Sequence, residues 1–95
     1  MIGFIGTPAR AEPAESVRYL ATLAKFTASA GTLIRADRAN YLATLRGCKR
    51  DALCRSATVR AQQRLYDALT SCAPARVACV ATRIERHRME LHQAM

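Results

Sequence analysis

Four cysteines in a chain of 95 residues, Cys48, Cys54, Cys72 and Cys79, limit what this sequence can fold into. An even count in a short chain reads as a disulfide framework if the chain is exported. Cys54 and Cys72 lie 18 positions apart within a helical pattern. Eighteen residues make five whole turns, so both side chains leave the same helix face, roughly 27 Å apart. A disulfide joins Cα atoms only about 6 Å apart. Each cysteine must therefore find a partner at its own end of that helix. Cys48 lies across the preceding turn and Cys79 across the following one. This favours Cys48–Cys54 with Cys72–Cys79, each bridge closing a small loop and contributing about 2 kcal/mol. A twin-cysteine hairpin, Cys48–Cys79 with Cys54–Cys72, is the rival pairing. It needs each cysteine pair to share one helical face, which spacings of six and seven residues serve unequally. Free buried thiols come second, for a cytosolic chain. A zinc site comes third, because structural zinc has about two to four residues between paired cysteines and this sequence has five and six.

Length and composition agree with a single domain. Apolar residues make up 51% of the chain, but aromatics only 5%, and Trp is absent. The core is expected to consist of Ala, Leu, Val and Ile, which favours closely packed helices that bury little area per residue. The N-terminus bears on export. A short apolar stretch, Met1 to Gly6, precedes Ala9-Arg10-Ala11 and Glu12-Pro13, in the manner of a signal-peptide tail with a small-x-small cleavage site after Ala11. Residues 1–11 are read as the remnant of a signal peptide or a disordered leader, and residues 12–95 as a single helical domain. The expected location is periplasmic or secreted, with cytoplasmic as the alternative. No apolar run approaches the ~20 residues of a membrane span.

Periodicity predicts three to four helices. Glu12-Pro13-Ala14-Glu15 is a helix entrance, with Pro in the first turn and acids near the positive end of the dipole. Val17, Leu20, Ala24 and Thr27, widened by Leu23 and Phe26, form the expected inward stripe. Ala30-Gly31-Thr32 is expected to end that helix, with Gly31 as C-terminal cap and Thr32 as the next N-cap; one bent helix through Gly31 is the alternative. The second helix, with Leu33, Ile34, Tyr41, Leu42 and Leu45, ends near Gly47. Asp51 caps a third, whose face carries Cys54, Ala57, Ala61, Leu65, Ala68, Leu69 and Cys72. Ala73-Pro74 breaks it, and a last helix carries Val77, Val80, Ala81, Ile84, Met89 and Leu91. Residues 41–48 and 65–72 also read as a weak tandem repeat, each a helix end closing on a cysteine. The expected fold class is all-α: a small antiparallel helical bundle with disulfide-bridged turns. Ala-rich stripes also make a homo-oligomer a possible partner arrangement.

The net charge is +8 and nearly all of the positive charge is Arg. GC-rich codon usage alone gives high Arg with high Ala, and the even spread along the chain favours a solvated surface. The functional alternative is attraction to a polyanion. Arg83, Arg86 and Arg88 form the densest basic stretch, with Glu85 and Glu90 placed among them as intrahelical partners. His87 and His92 are five apart, not on one face as an i, i+4 metal pair would be, and are read as surface residues. Asp37, Asp51 and Asp67 are read as caps or Arg partners. No spacing suggests a triad, a carboxylate pair, a metal site or a phosphate loop. The expectation is a non-enzyme without a cofactor.

From Leu33 to Leu65 the chain resembles the LprI-type lysozyme-inhibitor family of small exported bacterial helical proteins. The matching residues are Arg35, Asp37, Arg38, Tyr41-Leu42, Cys48, Asp51-Ala52-Leu53, Cys54 and Arg64-Leu65. The family usually has Trp where Tyr41 stands, and Arg-Asp where Leu45-Arg46 stands. The resemblance implies an exported disulfide-bonded protein that acts by contact on a muramidase, with the turn Lys49, Arg50, Asp51 to Leu53 as the singled-out element. A basic envelope protein that binds lipopolysaccharide, nucleic acid or an anionic membrane surface through Arg83, Arg86 and Arg88 is the alternative.

Overall fold

The computed structural model describes residues 13–94, with side chains to residue 92. The proposed leader at residues 1–11 lies outside the described residues. Four helices follow one another: α1 (Pro13–Leu23), α2 (Ala28–Gly47), α3 (Ala52–Leu69) and α4 (Val77–Ala94). No strand occurs among the described residues. Helices α2 and α3 each pack against all the others, while α1 and α4 do not touch. Side-chain partners fix the directions. Leu23 lies by Gly31 and Glu15 meets Arg38, Arg55 meets Leu45 and Gln62 meets Asp37, and Cys72 joins Cys79 while Gln62 meets His87, so neighbours in sequence run antiparallel. Arg18 reaches Gln63 and Asp67, which joins α1 to α3, and the two run parallel because each is antiparallel to α2.

The apolar core gathers toward the α3–α4 turn. Ala30 and Ile34 from α2, Leu65, Tyr66 and Leu69 from α3, and Val80 and Ile84 from α4 pack with Cys72. Tyr19, Leu23 and Phe26 close the core from the α1 side. The two halves of the sequence repeat bury corresponding positions: Tyr41, Leu45 and Cys48 in one, Leu65, Leu69 and Cys72 in the other. Each unit thus lays an i, i+4, i+7 stripe against the core and ends on a bridged cysteine.

The first helix departs from expectation twice. It ends at Leu23, and the break falls at residues 24–27 instead of at Ala30-Gly31-Thr32. The stop has a tertiary cause: the Thr27 amide donates to the Pro74 carbonyl in the α3–α4 turn at 3.1 Å. Thr27 then takes the N-cap position of α2 in extended geometry, without a side-chain cap bond. Gly31 lies inside α2, where a Cβ would stand 3.3 Å from Leu23 Cδ1. Its role is the close approach of α1 to α2, not termination. The expected inward stripe is also turned: Val17 and Leu20 are 67% and 62% exposed, while Glu15 is fully buried. The inward face is Glu15, Tyr19, Thr22, Leu23 and Phe26, which carries the larger rings and the one carboxylate that finds partners inside.

Candidate functional site: a stapled turn, an arginine cleft and a buried polar chain

Both disulfides take the favoured pairing. Cys48 joins Cys54 and Cys72 joins Cys79, with Cα separations of 5.5 and 5.8 Å. No cysteine is free among the described residues. The twin-cysteine pairing, the free thiols and the zinc site are therefore set aside, and no group of three metal-ligating side chains occurs among the described residues.

The α2–α3 turn is held by more than its bridge. Asp51 Oδ1 accepts from the Cys54 amide at 3.1 Å, the expected N-cap. Arg55 Nη1 donates to the carbonyls of Leu45 and Lys49 at 3.3 and 3.2 Å, tying the end of α2 to the start of α3. Lys49 has φ 55°, the left-handed conformation that reverses the chain between two helices. Lys49, Arg50 and Asp51 are exposed, and beside them Leu53 is 82% exposed. Leu53 thus stands outside the core on a backbone fixed by a bridge and a cap.

The three arginines of α4 do not act on one surface. Arg83 is half-buried, and its Nη2 donates to Ser71 Oγ at 3.2 Å, near the α3–α4 turn. Arg83 and Arg86 join Arg64, Leu65, Ala68, His87 and Glu90 around a cleft of about 120 Å³ between α3 and α4. Arg88 lies on the other side of α4, where it borders a hollow with Leu33 and Ala36 of α2. The structure thus brings Arg83 and Arg86 together with Arg64, which the sequence marks only as part of the family resemblance. It separates them from Arg88 and from Lys49, Arg50 and Asp51.

The largest correction concerns the interior. His87, read as a surface residue, is only 4% exposed, and Asp37 is 1% exposed. They belong to a polar chain that crosses all four helices. Arg38 Nη2 donates to Glu15 Oε1 at 2.9 Å, and the Tyr66 hydroxyl donates to Glu15 Oε2 at 2.5 Å. Gln62 Nε2 donates to Asp37 Oδ2 at 2.9 Å and to the Tyr66 hydroxyl oxygen at 3.3 Å. Gln62 Oε1 is then left as the acceptor for His87 Nε2, 2.9 Å away. That assignment follows from the network and places the imidazole proton on Nε2. Burial, followed by the bond to Glu15, raises the Tyr66 phenol far above its ordinary range. Burial holds His87 below its ordinary 6.5, against the pull of Asp37 and Glu90. The guanidinium of Arg38 also stacks over the Tyr19 ring, 4.4 Å from its centroid.

One sequence signal could have found His87. Val80, Ile84, His87 and Leu91 recur at four-, three- and four-residue steps, which places His87 on the buried stripe. No known protein family, characterised protein or solved structure matches the chain.

Proposed function

We propose that this is an exported, non-catalytic binding protein that presents its α2–α3 turn to a protein partner, in the manner of the lysozyme-inhibitor-like proteins that residues 33–65 resemble. The observation that carries the reading is Leu53, 82% exposed on a turn closed by the Cys48–Cys54 bridge. A rigid turn gives up little conformational entropy on binding, and a projecting apolar group flanked by charges suits an anchor in a partner's cleft. Lys49 and Arg50 beside it carry positive charge. Glycan hydrolases line their clefts with a carboxylate pair, so a basic tip is a fitting plug, and occlusion of a cell-wall muramidase is the inhibitory mode. The +8 charge of the whole chain selects against a strongly basic enzyme. The target is accordingly a muramidase with an acidic cleft and no large positive charge. Two disulfides in a short chain support an oxidising compartment.

The test is titration against neutral and acidic muramidases with native protein and the Leu53→Glu and Arg50→Glu variants. Both substitutions are exposed and should leave the melting temperature within about 3 °C of native. Each should weaken binding by about tenfold or more. Native-like binding by both variants would overturn the role of the turn.

A second reading, a basic envelope protein that binds polyanions, draws on one observation: Arg64, Arg83 and Arg86 converge on the α3–α4 cleft. Binding of that kind weakens steeply with salt, whereas capture of Leu53 in an apolar pocket does not.

A further inference from the structure

We propose that the cleft between α3 and α4 binds a phosphate group that carries a proton, either a phosphate monoester or hydrogenphosphate. Arg64, Arg83 and Arg86 hold its oxygens, and His87 Nδ1 shares its proton. This rests on the anionic reading of that face and is independent of the stapled turn.

Three guanidinium groups border a cleft of about 120 Å³, and the one carboxylate among the lining residues is Glu90. That volume equals the share of roughly four waters at ~30 Å³ each, enough for one tetrahedral oxyanion. Leu65 and Ala68 form its apolar wall, which strengthens charge-assisted bonds made inside. Two buried polar atoms of the lining residues lack partners among the described residues: Arg83 Nε, a donor, and His87 Nδ1, an acceptor. They belong to residues four apart on α4, and hence to one face of that helix. A ligand that satisfies both must accept at one atom and donate from another. A phosphate monoester near neutral pH does this, because its second pKa of about 6 leaves part of it with a P–O–H. Sulfate, carboxylate and phosphodiester have no such proton. Both atoms belong to residues that line the cleft, beside the exposed Arg86 and Glu90.

The charged groups around His87 are Asp37 from α2, Arg64 from α3, and Arg88 and Glu90 on its own helix, and α1 does not touch α4. Nε2 is committed to Gln62, so Nδ1 is the one ring position that can gain a proton. The complex holds a single proton between Nδ1 and the phosphate oxygen. A monoester above its second pKa has lost that proton and must take it up on binding, so its affinity falls by about tenfold per pH unit, whereas hydrogenphosphate keeps its own P–O–H. Sulfate needs the imidazolium, which burial disfavours, and so it binds poorly at neutral pH.

The test uses the full chain with both bridges formed and ¹⁵N-labelled histidine. The His87 signals are followed while sodium phosphate or sodium sulfate is added at matched ionic strength at about pH 6.5, where every free phosphate ion carries a P–O–H and sulfate carries none. Phosphate should give a saturable shift with Kd on the order of 1 mM. Sulfate should bind at least about tenfold more weakly, and Arg83→Gln or Arg86→Gln should weaken phosphate by about tenfold. Arg50→Gln, at the distant turn, should change nothing. Equal shifts with both anions, no shift with phosphate, or a native response in Arg86→Gln would overturn the site. Vesicles containing phosphatidic acid, a monoester, are compared with vesicles containing phosphatidylglycerol, a diester, at equal charge. Preference for the monoester vesicles assigns the ligand to a lipid headgroup; phosphate binding without that preference assigns it to the free ion. Equal, salt-sensitive binding to both vesicles, with sulfate matching phosphate, overturns the site and leaves the anionic reading standing. Failure to bind either vesicle or heparin overturns that reading as well.

Discussion

At the scale of single residues, the buried polar groups decide how this bundle behaves. Glu15 is fully buried and accepts from Arg38 and Tyr66, so its carboxylate links α1 to both central helices. Glu15→Gln keeps an acceptor for one neighbour but turns an N–H toward the other. Breaking a buried pair from one side leaves a charge without compensation, which costs about 3 kcal/mol. Urea unfolding of that variant should show a loss of this size with an unchanged m-value. His87 makes a second prediction. Its folded pKa lies below its ordinary 6.5 because burial penalises the charged ring. Between those two values the unfolded chain binds more protons than the folded one, so stability rises with pH there. His87 thus contributes stability that is complete above 6.5 and is lost as pH falls through the lower, folded value. Melting curves over that range should show a slope that His87→Gln removes; an unchanged slope would place the acid sensitivity elsewhere.

At the scale of elements, the turns carry the constraint. The Cys48–Cys54 and Cys72–Cys79 bridges close loops of six- and seven-residue separation. Chain entropy gives about 2 kcal/mol for each. The two are not equivalent in context. Cys72 packs in the main core with Leu69 and Val80, and its turn also anchors the α1–α2 break through the Pro74 carbonyl. The first turn has the Asp51 cap and the Arg55 bonds as independent supports. Replacing Cys72 and Cys79 by Ser should therefore destabilise the protein more than replacing Cys48 and Cys54, as read by the urea midpoint. The reverse order would mean that the cap and Arg55 contribute little. Helix α1 illustrates an opposite case. Its Val17 and Leu20 face outward, so its attachment depends on Tyr19, Leu23 and Phe26 and on the polar links of Glu15 and Arg18.

At the scale of the whole molecule, a chain this short has a small core, and a bundle of Ala-rich helices makes it smaller. Two covalent staples and a polar chain that touches every helix supplement it. Stable bridges of this kind form in an oxidising compartment, and the mass of the native protein tests for one. Protein isolated from its native host should be lighter by four hydrogens than the reduced chain, and a start at Glu12 would mark cleavage after Ala11. Fully reduced cysteines in that material would remove the case for export and, with it, the main support for a muramidase partner.

The sequence alone determined what depends on spacing along one helix. The length of helix expected between Cys54 and Cys72 excluded a bond between them; α3 ends at Leu69 and Cys72 lies in the turn beyond it, but the helix still holds the two apart, and that sufficed to favour the observed pairing. The end of α2 at Gly47 and the Asp51 cap were equally legible, because each follows from the chemistry of a few adjacent residues, whereas α3 stops at Leu69, ahead of the break expected at Ala73-Pro74. Tertiary structure alone decided which face of α1 turns inward, where that helix stops, and the burial of Glu15, Asp37, Gln62 and His87. It also decided which arginines share a cleft. A polar side chain is buried only when a partner on another helix offsets its desolvation, and an apolar one is exposed when a larger neighbour takes its place. Both outcomes are set by residues distant in sequence, such as Glu15 with Tyr66 and Thr27 with Pro74, which no local pattern brings together.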